Sequence, residues 1–314
     1  AGKTTRVPLA LRGEEWLGDD KIIMLEPRRL AARSAARFMA KTLGEEAGQT
    51  VGYRVRMDTQ VSRQTQIEVV TEGVLTRMLQ DDPALEGVGA VLFDEFHERN
   101  LQADLGLALA LQARDVFRPE LRILVMSATL DTGPIAELLD TRLIESEGRS
   151  YPVEVHYRDR PVNDRIEPAV ASTVQDVLKK TDGDVLVFLP GAGEIRRTES
   201  KLEKRVPDDV DLYPLFGNLP PEKQDKAIEP SPDGYRKVVL ATDIAETSLT
   251  IEGIRVVVDS GLRRAPRFDA ASGMTRLETV KVSRASADQR KGRAGRVAPG
   301  TCYRLWTERT HHHL

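Results

Sequence analysis

The stretch VLFDEFHER, residues 91–99, places a cluster of charged side chains directly after a short apolar run. Val91, Leu92 and Phe93 are typical of a buried strand. The ionisable residues that follow at once are Asp94, Glu95, His97, Glu98 and Arg99. Because an isolated charge is costly to remove from water, such a cluster at a strand end needs solvent or a charged ligand. The stretch therefore predicts a buried strand that ends in a polar site.

Short β-branched runs alternate with longer helical segments along the whole chain. Strands are predicted at KIIML, IEVVT, AVLFD, ILVMSA, PVEVHY, DVLVFLP, KVVLAT and IRVVVD. Helices are predicted within RRLAARSAARFMAKTLG, LQADLGLALALQARDVF and SKLEKRV. Several strands are continuously apolar, as in parallel sheets covered by helices on both faces. The alternation predicts an α/β fold with two doubly wound layers.

The segment from Glu147 to Tyr157 is the best candidate for a domain boundary. Gly148, Ser150 and Pro152 favour a break in regular structure, and a new strand follows them. A division there leaves two halves of similar length with a similar alternation of strands and helices. We therefore expect two α/β domains, residues 1–148 and 149–314, that face each other across a cleft.

Composition restricts the class of protein. The chain has 314 residues, and 46 Lys and Arg against 49 Asp and Glu give a net charge of −3, which neither requires nor excludes a nucleic-acid partner. The single cysteine, Cys302, fits a reducing compartment. No apolar run approaches the roughly 20 residues that span a bilayer. These features predict a soluble cytoplasmic protein, or a piece of one, without a membrane partner, and His311 to His313 are weak evidence for a metal site.

The chain begins with AGKTT, and GKT is the end of the P-loop pattern. In a P-loop, backbone N–H groups and a lysine hold phosphates while a hydroxyl binds Mg²⁺. Gly2, Lys3, Thr4 and Thr5 are therefore candidate nucleotide-binding residues, with Thr4 as a metal ligand. The glycine that opens the pattern would precede residue 1, so we expect a P-loop that is truncated at its N-terminal side. GKT alone is a weak signal.

A P-loop needs an acidic site at the end of a neighbouring strand to hold the metal ion. AVLF followed by Asp94 and Glu95 has this form. Asp94 would hold Mg²⁺ through water, while Glu95 would orient and deprotonate the attacking water. The alternative is a helix N-terminus, where acidic side chains favour the helix dipole. The upstream GKT and the apolar strand favour the metal site.

A basic segment lies late in the chain. Arg290, Arg293 and Arg296 recur every three residues, with Gly292 and Gly295 between them. This spacing predicts arginines on one helical face and a close approach of another surface at the glycines. An arginine delivered to a γ-phosphate is worth about 10³–10⁵ in rate. Since GKT and these arginines fall in different domains, hydrolysis would require closure of the cleft; a solvated basic helix is the alternative.

Taken in order, these motifs resemble the superfamily 2 helicases of the DEAH/RHA type, and most closely the bacterial HrpB family. The resemblance covers essentially the whole chain. The matching stretches are AGKTT, EPRRLAA (26–32), TEGVLTR (71–77), DEFHER (94–99), SAT (127–129), VFLPG (187–191), ATDIAETSLTI (241–251), VVDSG (257–261) and QRKGRAGR (289–296). Phe96 replaces the alanine of the DEAH label, whereas Asp94, Glu95 and His97 are retained.

The resemblance implies two tandem RecA-like domains and a role for each motif. Lys3, Thr4, Asp94 and Glu95 would act as already described. Gln289 would position the attacking water, and the two arginine fingers would be Arg293 and Arg296. His97 would link the metal site to the second domain, and the residues that couple hydrolysis to domain movement would be Ser127 and Thr129.

The resemblance also implies a nucleic-acid strand that runs across both domains, held mainly by its backbone. The candidate contacts are Arg28, Arg29, Thr71, Glu72 and Gly73 in the first domain and Thr242 in the second. Arg29, Arg33 and Arg37 would form one basic helix face, or else a solvated stripe. PRFD and TRLETVKV flank a turn at 270–273 and predict a β-hairpin; related helicases carry a strand-guiding hairpin there, and a plain extension of the sheet is the alternative.

These expectations combine into an ATP-dependent RNA helicase or translocase core that moves 3′ to 5′ on single-stranded or partly duplex RNA. ATP, or another nucleoside triphosphate, and Mg²⁺ would be its cofactors. The family usually continues into further domains, so we expect C-terminal accessory domains beyond this sequence. The alternatives are a DNA-directed helicase, a non-catalytic nucleotide-gated scaffold, and a small-molecule kinase, which leaves QRKGRAGR without a role.

Overall fold

The computed structural model describes residues 2–128, 133–146, 151–162, 164–247, 249 and 251–314. Thr129, Gly148 and Ser150 lie outside the described residues. The chain divides into two compact units, residues 1–147 and 148–314, called here the first and second unit. Among the helices of the described residues, none is long and apolar enough to cross a membrane.

In the first unit, six strands of the described chain form one sheet in the order β3-β2-β4-β1-β5-β6. The strands are β1 (Lys21–Leu25), β2 (Val51–Val55), β3 (Asp58–Gln60), β4 (Ile67–Val70), β5 (Val88–Phe93) and β6 (Arg122–Val125). The helices are α1 (Lys3–Leu11), α2 (Arg29–Thr42), α3 (Glu72–Asp81), α4 (Leu101–Val116) and α5 (Gly133–Leu139). All neighbouring strands run parallel except β2 and β3.

The central strand β1 explains why its sequence is continuously apolar. Ile22 and Met24 pack into the core that includes α2, whereas Ile23 and Leu25 pack into the core that includes α3 and α4. Successive side chains of a strand point to opposite faces, so both faces of the sheet must be covered. The first unit is therefore doubly wound, as predicted.

In the second unit, six described strands form a wholly parallel sheet in the order β7-β14-β11-β8-β10-β9. Its strands are β7 (Val153–Tyr157), β8 (Asp184–Phe188), β9 (Val210–Leu215), β10 (Arg236–Ala241), β11 (Ile254–Asp259) and β14 (Gly300–Arg304). The helices are α6 (Ile166–Lys180), α7 (Ala192–Leu202), α8 (Pro221–Ile228), α9 (Arg284–Gly292) and α10 (Glu308–His312). The prediction of an α/β fold with two doubly wound layers is confirmed.

A separate antiparallel hairpin joins β12 (Leu262–Asp269) to β13 (Met274–Lys281). It forms its own two-stranded sheet, so the predicted hairpin is present and is not an extension of the parallel sheet. Most of its side chains are exposed, including Phe268 and Leu277. Its tip is closed by Asp269, which accepts hydrogen bonds from Ala271 N (3.0 Å) and Ser272 Oγ (2.7 Å).

Two parts of the secondary-structure prediction were wrong. The helix predicted at SKLEKRV is displaced, because α7 begins at Ala192 and ends at the buried Leu202. The arginines at 290, 293 and 296 do not share one helix, because α9 ends at Gly292 and a 3₁₀ turn covers Arg293–Gly295. Glycine has low helix propensity, which is consistent with the end of the helix at this position.

Candidate active site

Asp94 and Glu95 form a sharp turn at the carboxyl end of β5. Asp94 is only 3% exposed, and its backbone N–H donates to the carbonyl of Leu25 (3.0 Å). Its Oδ1 accepts a hydrogen bond from the N–H of Glu95 (2.9 Å). Glu95 has φ +50°, a left-handed conformation that is uncommon for a residue with a side chain. Strained backbone of this kind clusters at functional sites, which fits the predicted polar site.

Glu26 lies beside Asp94 and was not singled out from the sequence. It follows β1 directly and is fully buried, within reach of the Asp94 carboxylate. Among the described residues, both carboxylate oxygens of Glu26 and Oδ2 of Asp94 are buried without a hydrogen-bond partner. Burial and the negative charge of Asp94 raise the pKa of Glu26 well above its usual range. Carboxylate oxygens such as those of Asp94 are the type of protein ligand that Mg²⁺ prefers.

The end of β6 connects the candidate phosphate-binding and acidic residues. Lys3 Nζ donates to the carbonyl of Ser127, and the N–H of Ala128 donates to His97 Nδ1 (3.3 Å). The same Nδ1 lies 3.4 Å from Oε2 of Glu95. The structure therefore brings Lys3, Ser127, His97 and Glu95 into one continuous set of contacts.

Gly2 precedes α1 and suits an anion-binding turn. Its φ is +92°, and no side chain caps the helix. The first turn of α1 carries Lys3, Thr4 and Thr5, all partly buried, and no acidic residue. The N-terminus of a helix favours anions because its N–H groups and its dipole point toward them. This end of α1 can therefore hold phosphate.

Phe96, which departs from the DEAH pattern, is a core residue. It is 4% exposed and meets Phe93 edge to face, with ring centroids 6.1 Å apart. Its N–H donates to the carbonyl of Met126 (3.1 Å). The aromatic side chain therefore packs beneath the acidic residues and takes no direct part in the polar site.

The basic segment of the second unit contains two kinds of arginine. Arg293 is 5% exposed, its Nε donates to the carbonyl of Glu246 (2.8 Å), and its Nη1 donates to the carbonyl of Leu249. Arg296 is exposed, and its Nη1 lies 3.3 Å from the same carbonyl of Leu249. Gln289 is partly buried on the last turn of α9. Arg293 and Arg296 therefore meet at the carbonyl of Leu249.

Arg290 is fully buried and belongs to an ion-pair cluster, called here the Arg290 cluster, with Asp259 and Glu246. Its Nη1 lies 2.9 Å from Asp259 Oδ1, and its Nε lies 2.8 Å from Glu246 Oε2. The guanidinium also lies over the ring of Phe188, 4.8 Å from the centroid. Arg290 therefore holds several motifs of the second unit together and is not presented to solvent.

Only one of the two glycines in this segment is required for a close approach. A Cβ on Gly295 would lie 2.6 Å from the carbonyl oxygen of Tyr151, whereas a Cβ on Gly292 would meet nothing within 4 Å. The prediction of close packing is therefore confirmed at Gly295 and wrong at Gly292.

The candidate nucleic-acid contacts of the first unit lie where β1 and β4 end. Arg28 precedes α2 and pairs with Glu98 (3.3 Å), and Arg29 is exposed in the first turn of α2. Thr71 precedes α3, Glu72 begins it, and Gly73 is exposed. These residues adjoin the acidic stretch through Glu98.

Asn100 ties Glu72 to the start of α4. Its Nδ2 donates to Glu72 Oε1 (2.5 Å), while its Oδ1 accepts from the N–H groups of Gln102 (3.0 Å) and Ala103 (2.9 Å). Burial raises the pKa of Glu72. Asn100 was not singled out from the sequence, although an asparagine before an apolar helix is a typical N-cap.

Two other polar residues that the sequence analysis named are Arg33 and Thr242. Arg33 does not form a solvated stripe, because it is 5% exposed and its Nη1 lies 3.7 Å from Asp58 Oδ2. In the second unit, Thr242 is partly buried at the end of β10, where its N–H donates to the carbonyl of Leu215 (3.1 Å). Within the described part of the chain, no group of three or more His, Cys, Asp or Glu side chains is placed to hold a metal ion on its own.

Comparison with known proteins gives a consistent result across most of the chain. The DEAD/DEAH box helicase family matches residues 1–138, and the helicase conserved C-terminal domain matches residues 169–298. The chain is 53% identical over 306 residues to the ATP-dependent RNA helicase HrpB of Escherichia coli (strain K12). It is 41% identical over 317 residues to the pre-mRNA-splicing factor ATP-dependent RNA helicase prp22 of Schizosaccharomyces pombe.

The structural comparison agrees with the sequence comparison. A crystal structure of the Escherichia coli DEAH/RHA helicase HrpB matches with a TM-score of 0.93 and 52% identity, over 100% of this chain and 40% of that one. The match to HrpB includes 97% of this chain but only 38% of the Escherichia coli protein. The match to prp22 includes 98% of this chain but only 27% of the Schizosaccharomyces pombe protein. The residues that carry the polar site lie within the matched family regions. The chain thus belongs to the DEAD/DEAH box helicases of superfamily 2, and among them to the DEAH/RHA type.

Proposed function

We propose that this chain is the nucleoside-triphosphate-hydrolysing core of an RNA helicase or translocase that moves 3′ to 5′ in the cytoplasm. The observation that carries the proposal is the set of contacts that joins Lys3, Ser127, His97 and Glu95 at the end of the sheet. These contacts bring Lys3, the candidate phosphate-binding lysine, and Glu95, the candidate general base, around the same segment, which supports the proposal. Relatives that are named ATP-dependent RNA helicases support RNA as the polymer.

ATP and Mg²⁺ fit the first unit. Gly2, Lys3, Thr4 and Thr5 would hold the phosphates, and Thr4 together with Asp94, through water, would hold the ion. Proteins usually bind Mg²⁺ through one or two carboxylates plus substrate phosphates, which suits a site without a full protein cage. When bound, the ion would neutralise charge that develops on the phosphates.

Glu95 is the residue that we assign to the attacking water. Its carboxylate would accept the water's proton, a role that contributes about 10²–10⁴-fold to a rate. The left-handed turn at Glu95 and the neighbouring His97 ring fix where that carboxylate lies. His97 would also link the metal site to the second domain. Ala128, which contacts His97, lies in the SAT motif between Ser127 and Thr129, the residues that would couple hydrolysis to domain movement.

We assign residues 1–148 to the ATP-binding RecA-like domain and 149–314 to the C-terminal helicase domain, with a cleft between them that closes around the nucleotide. Gln289, Arg293 and Arg296 would complete the site from the second domain. The hydrogen bonds of Arg293 to backbone carbonyls imply that it must exchange partners before it reaches a phosphate. Because Arg296 is exposed, it would be the first of the two arginines to contact the nucleotide.

The RNA backbone would contact Arg28, Arg29, Thr71, Glu72 and Gly73 in the first domain and Thr242 in the second. The ion pair of Arg28 with Glu98 (3.3 Å) joins this surface to the DEFHER stretch. An RNA phosphate that binds Arg28 would break its ion pair with Glu98. RNA binding would therefore change the electrostatic environment of the acidic residues. The exposed hairpin β12–β13 would guide the strand.

Strand displacement tests the proposal. Full-length protein with a complete P-loop is mixed with ATP, Mg²⁺ and a labelled RNA duplex that carries either a 3′ or a 5′ single-stranded tail. We expect displacement of the 3′-tailed duplex alone, and none with Glu95→Gln, which keeps the size of the side chain but removes the base. A 3′-tailed DNA duplex is the matched substrate control.

The outcomes separate the alternatives. Displacement of the 5′-tailed RNA alone would contradict the polarity. A preference for the DNA duplex would favour a DNA-directed helicase. Nucleotide binding without hydrolysis or displacement would favour the scaffold.

A further inference from the structure

The carboxyl end of β14 carries a buried arginine that contacts α9 directly. Arg304 is the last residue of β14 and is 2% exposed. Its Nη2 donates to Asp288 Oδ1 (2.7 Å) and to the carbonyl of Ala287 (3.2 Å). Both acceptors lie on α9 immediately before Gln289, which would position the attacking water. The strand is therefore bonded to α9 at the residues that lead into Gln289.

The guanidinium of Arg304 is itself fixed by aromatic and histidine side chains. Its Nη1 donates to the hydroxyl of Tyr157 (2.7 Å) and lies 3.1 Å from Nε2 of His311. The rings of Tyr157 and Trp306 lie beside it, with their centroids 5.5 Å and 5.6 Å from Cζ. The planar fork of an arginine donates in a fixed geometry, so a guanidinium held on several sides offers its remaining N–H groups in one direction.

Further contacts hold α9 before and after Asp288. Arg284, the first residue of α9, donates from Nη2 to the carbonyl of His312 (2.8 Å). Arg284 and Asp288 are four residues apart and therefore lie on the same face of the helix. Arg290, two residues beyond Asp288, is bonded within the Arg290 cluster. Gln289 thus lies between two residues of α9 that are each fixed by an ion pair.

We infer that Arg304 and Asp288 are positioning residues for the proposed hydrolysis, because their ion pair fixes the last turn of α9 and with it the place of Gln289. This inference rests on the proposed function. Displacement by about 1 Å of a group that orients a reactant can lower a rate by about 10²-fold. An ion pair that only stabilised the fold would change the unfolding of the protein but not the rate of the folded enzyme.

A double-mutant cycle tests whether Asp288 acts through Gln289. Phosphate release by full-length protein with a complete P-loop is measured at saturating RNA over a range of ATP concentrations. The proteins are the wild type, Asp288→Ala, Gln289→Ala and the double variant. We expect Asp288→Ala to lower kcat by about 10–100-fold with KM for ATP unchanged, since a lost transition-state interaction lowers kcat and kcat/KM equally. In the Gln289→Ala background, Asp288→Ala should change kcat by less than about twofold, since residues that act as a unit are not additive.

Two further variants separate positioning from the loss of any ion pair. Asp288→Asn keeps an oxygen that can accept from Arg304, so it should restore most of the kcat that Asp288→Ala loses. Glu167→Ala is the matched control, because it removes the carboxylate partner of Arg197 in the same unit. That substitution lies on α6, which carries none of the proposed site residues, and should leave kcat unchanged.

Additive effects of Asp288→Ala and Gln289→Ala would overturn the inference and leave the proposed function intact. So would a wild-type kcat in Asp288→Ala, or an equal loss of kcat in Glu167→Ala. A wild-type kcat in Gln289→Ala would overturn the inference together with the proposed role of Gln289. No phosphate release by the wild type itself would overturn the proposed function as well.

If Asp288→Ala does not fold, Arg304→Lys takes its place in the cycle. Lysine keeps the positive charge but lacks the planar fork that holds Asp288 and the carbonyl of Ala287 together. Arg304→Lys should lower kcat in the wild-type background and leave it unchanged in the Gln289→Ala background. Additive effects of Arg304→Lys and Gln289→Ala would again overturn the inference.

Discussion

At the scale of single residues, the second unit contains buried charges that need a partner of opposite charge. Arg290 and Asp259 are both fully buried, and their ion pair of 2.9 Å is extended by Glu246. A buried ion pair contributes little net stability, but removal of one partner leaves an uncompensated charge. Position 290 must therefore carry an arginine to pair with the buried acids of the Arg290 cluster, whereas a position on the exposed hairpin has no such requirement.

Arg290→Ala should lower the free energy of unfolding of the second unit by about 3–5 kcal/mol, because Asp259 would remain buried without its partner. Urea unfolding of residues 1–314 followed by the fluorescence of Trp306 would measure it, in a Trp16→Phe background that leaves Trp306 as the sole tryptophan of this sequence. The control is Arg276→Ala on the exposed β13, which should change the value by less than about 0.5 kcal/mol. Equal effects of the two substitutions would refute a structural role for the Arg290 cluster.

At the scale of elements, the sequence predicts best what local pattern determines. The central strands β1, β5, β8 and β11 are predicted because their residues are continuously apolar. β9 is missed because Pro214 interrupts it, which an edge strand tolerates. β2 and β14 are missed because glycines and arginines dilute their apolar pattern.

The candidate site divides in the same way. Asp94, Glu95 and Lys3 are predicted because their motifs are contiguous in sequence. Glu26 is not, because its place beside Asp94 depends on the adjacency of β1 and β5, which only the topology determines. The burial of Arg33 depends likewise on Asp58, which lies on the distant β3.

Asn100 connects two helices, since it caps α4 and also donates a hydrogen bond to Glu72 at the start of α3. Asn100→Ala should cost about 1 kcal/mol at the N-terminus of α4, which corresponds to a roughly fivefold larger equilibrium constant for local opening. Hydrogen–deuterium exchange of peptides that begin α4 would measure it. Ser283→Ala, which removes the cap of α9 in the other unit, is the control and should leave exchange in α4 unchanged. An unaltered α4 in Asn100→Ala would contradict this account of the cap.

At the scale of the whole molecule, the two units carry different parts of one proposed reaction. The first holds the lysine, the acidic residues and the candidate metal site, and the second holds Gln289 and the two candidate arginine fingers. Each unit is an α/β layer with its own core. Because the proposed groups are divided between the two units, we propose that both units act on one nucleotide.

The measurement that tests this most directly is phosphate release by the full-length protein, with and without single-stranded RNA, beside Glu95→Gln. We predict RNA-stimulated release that falls by about 10²–10⁴-fold in Glu95→Gln, while ADP binding to the variant is retained. Release that is indifferent to RNA, or that proceeds at the wild-type rate in Glu95→Gln, would contradict the assignment of the stretch VLFDEFHER to water activation in an RNA-driven enzyme.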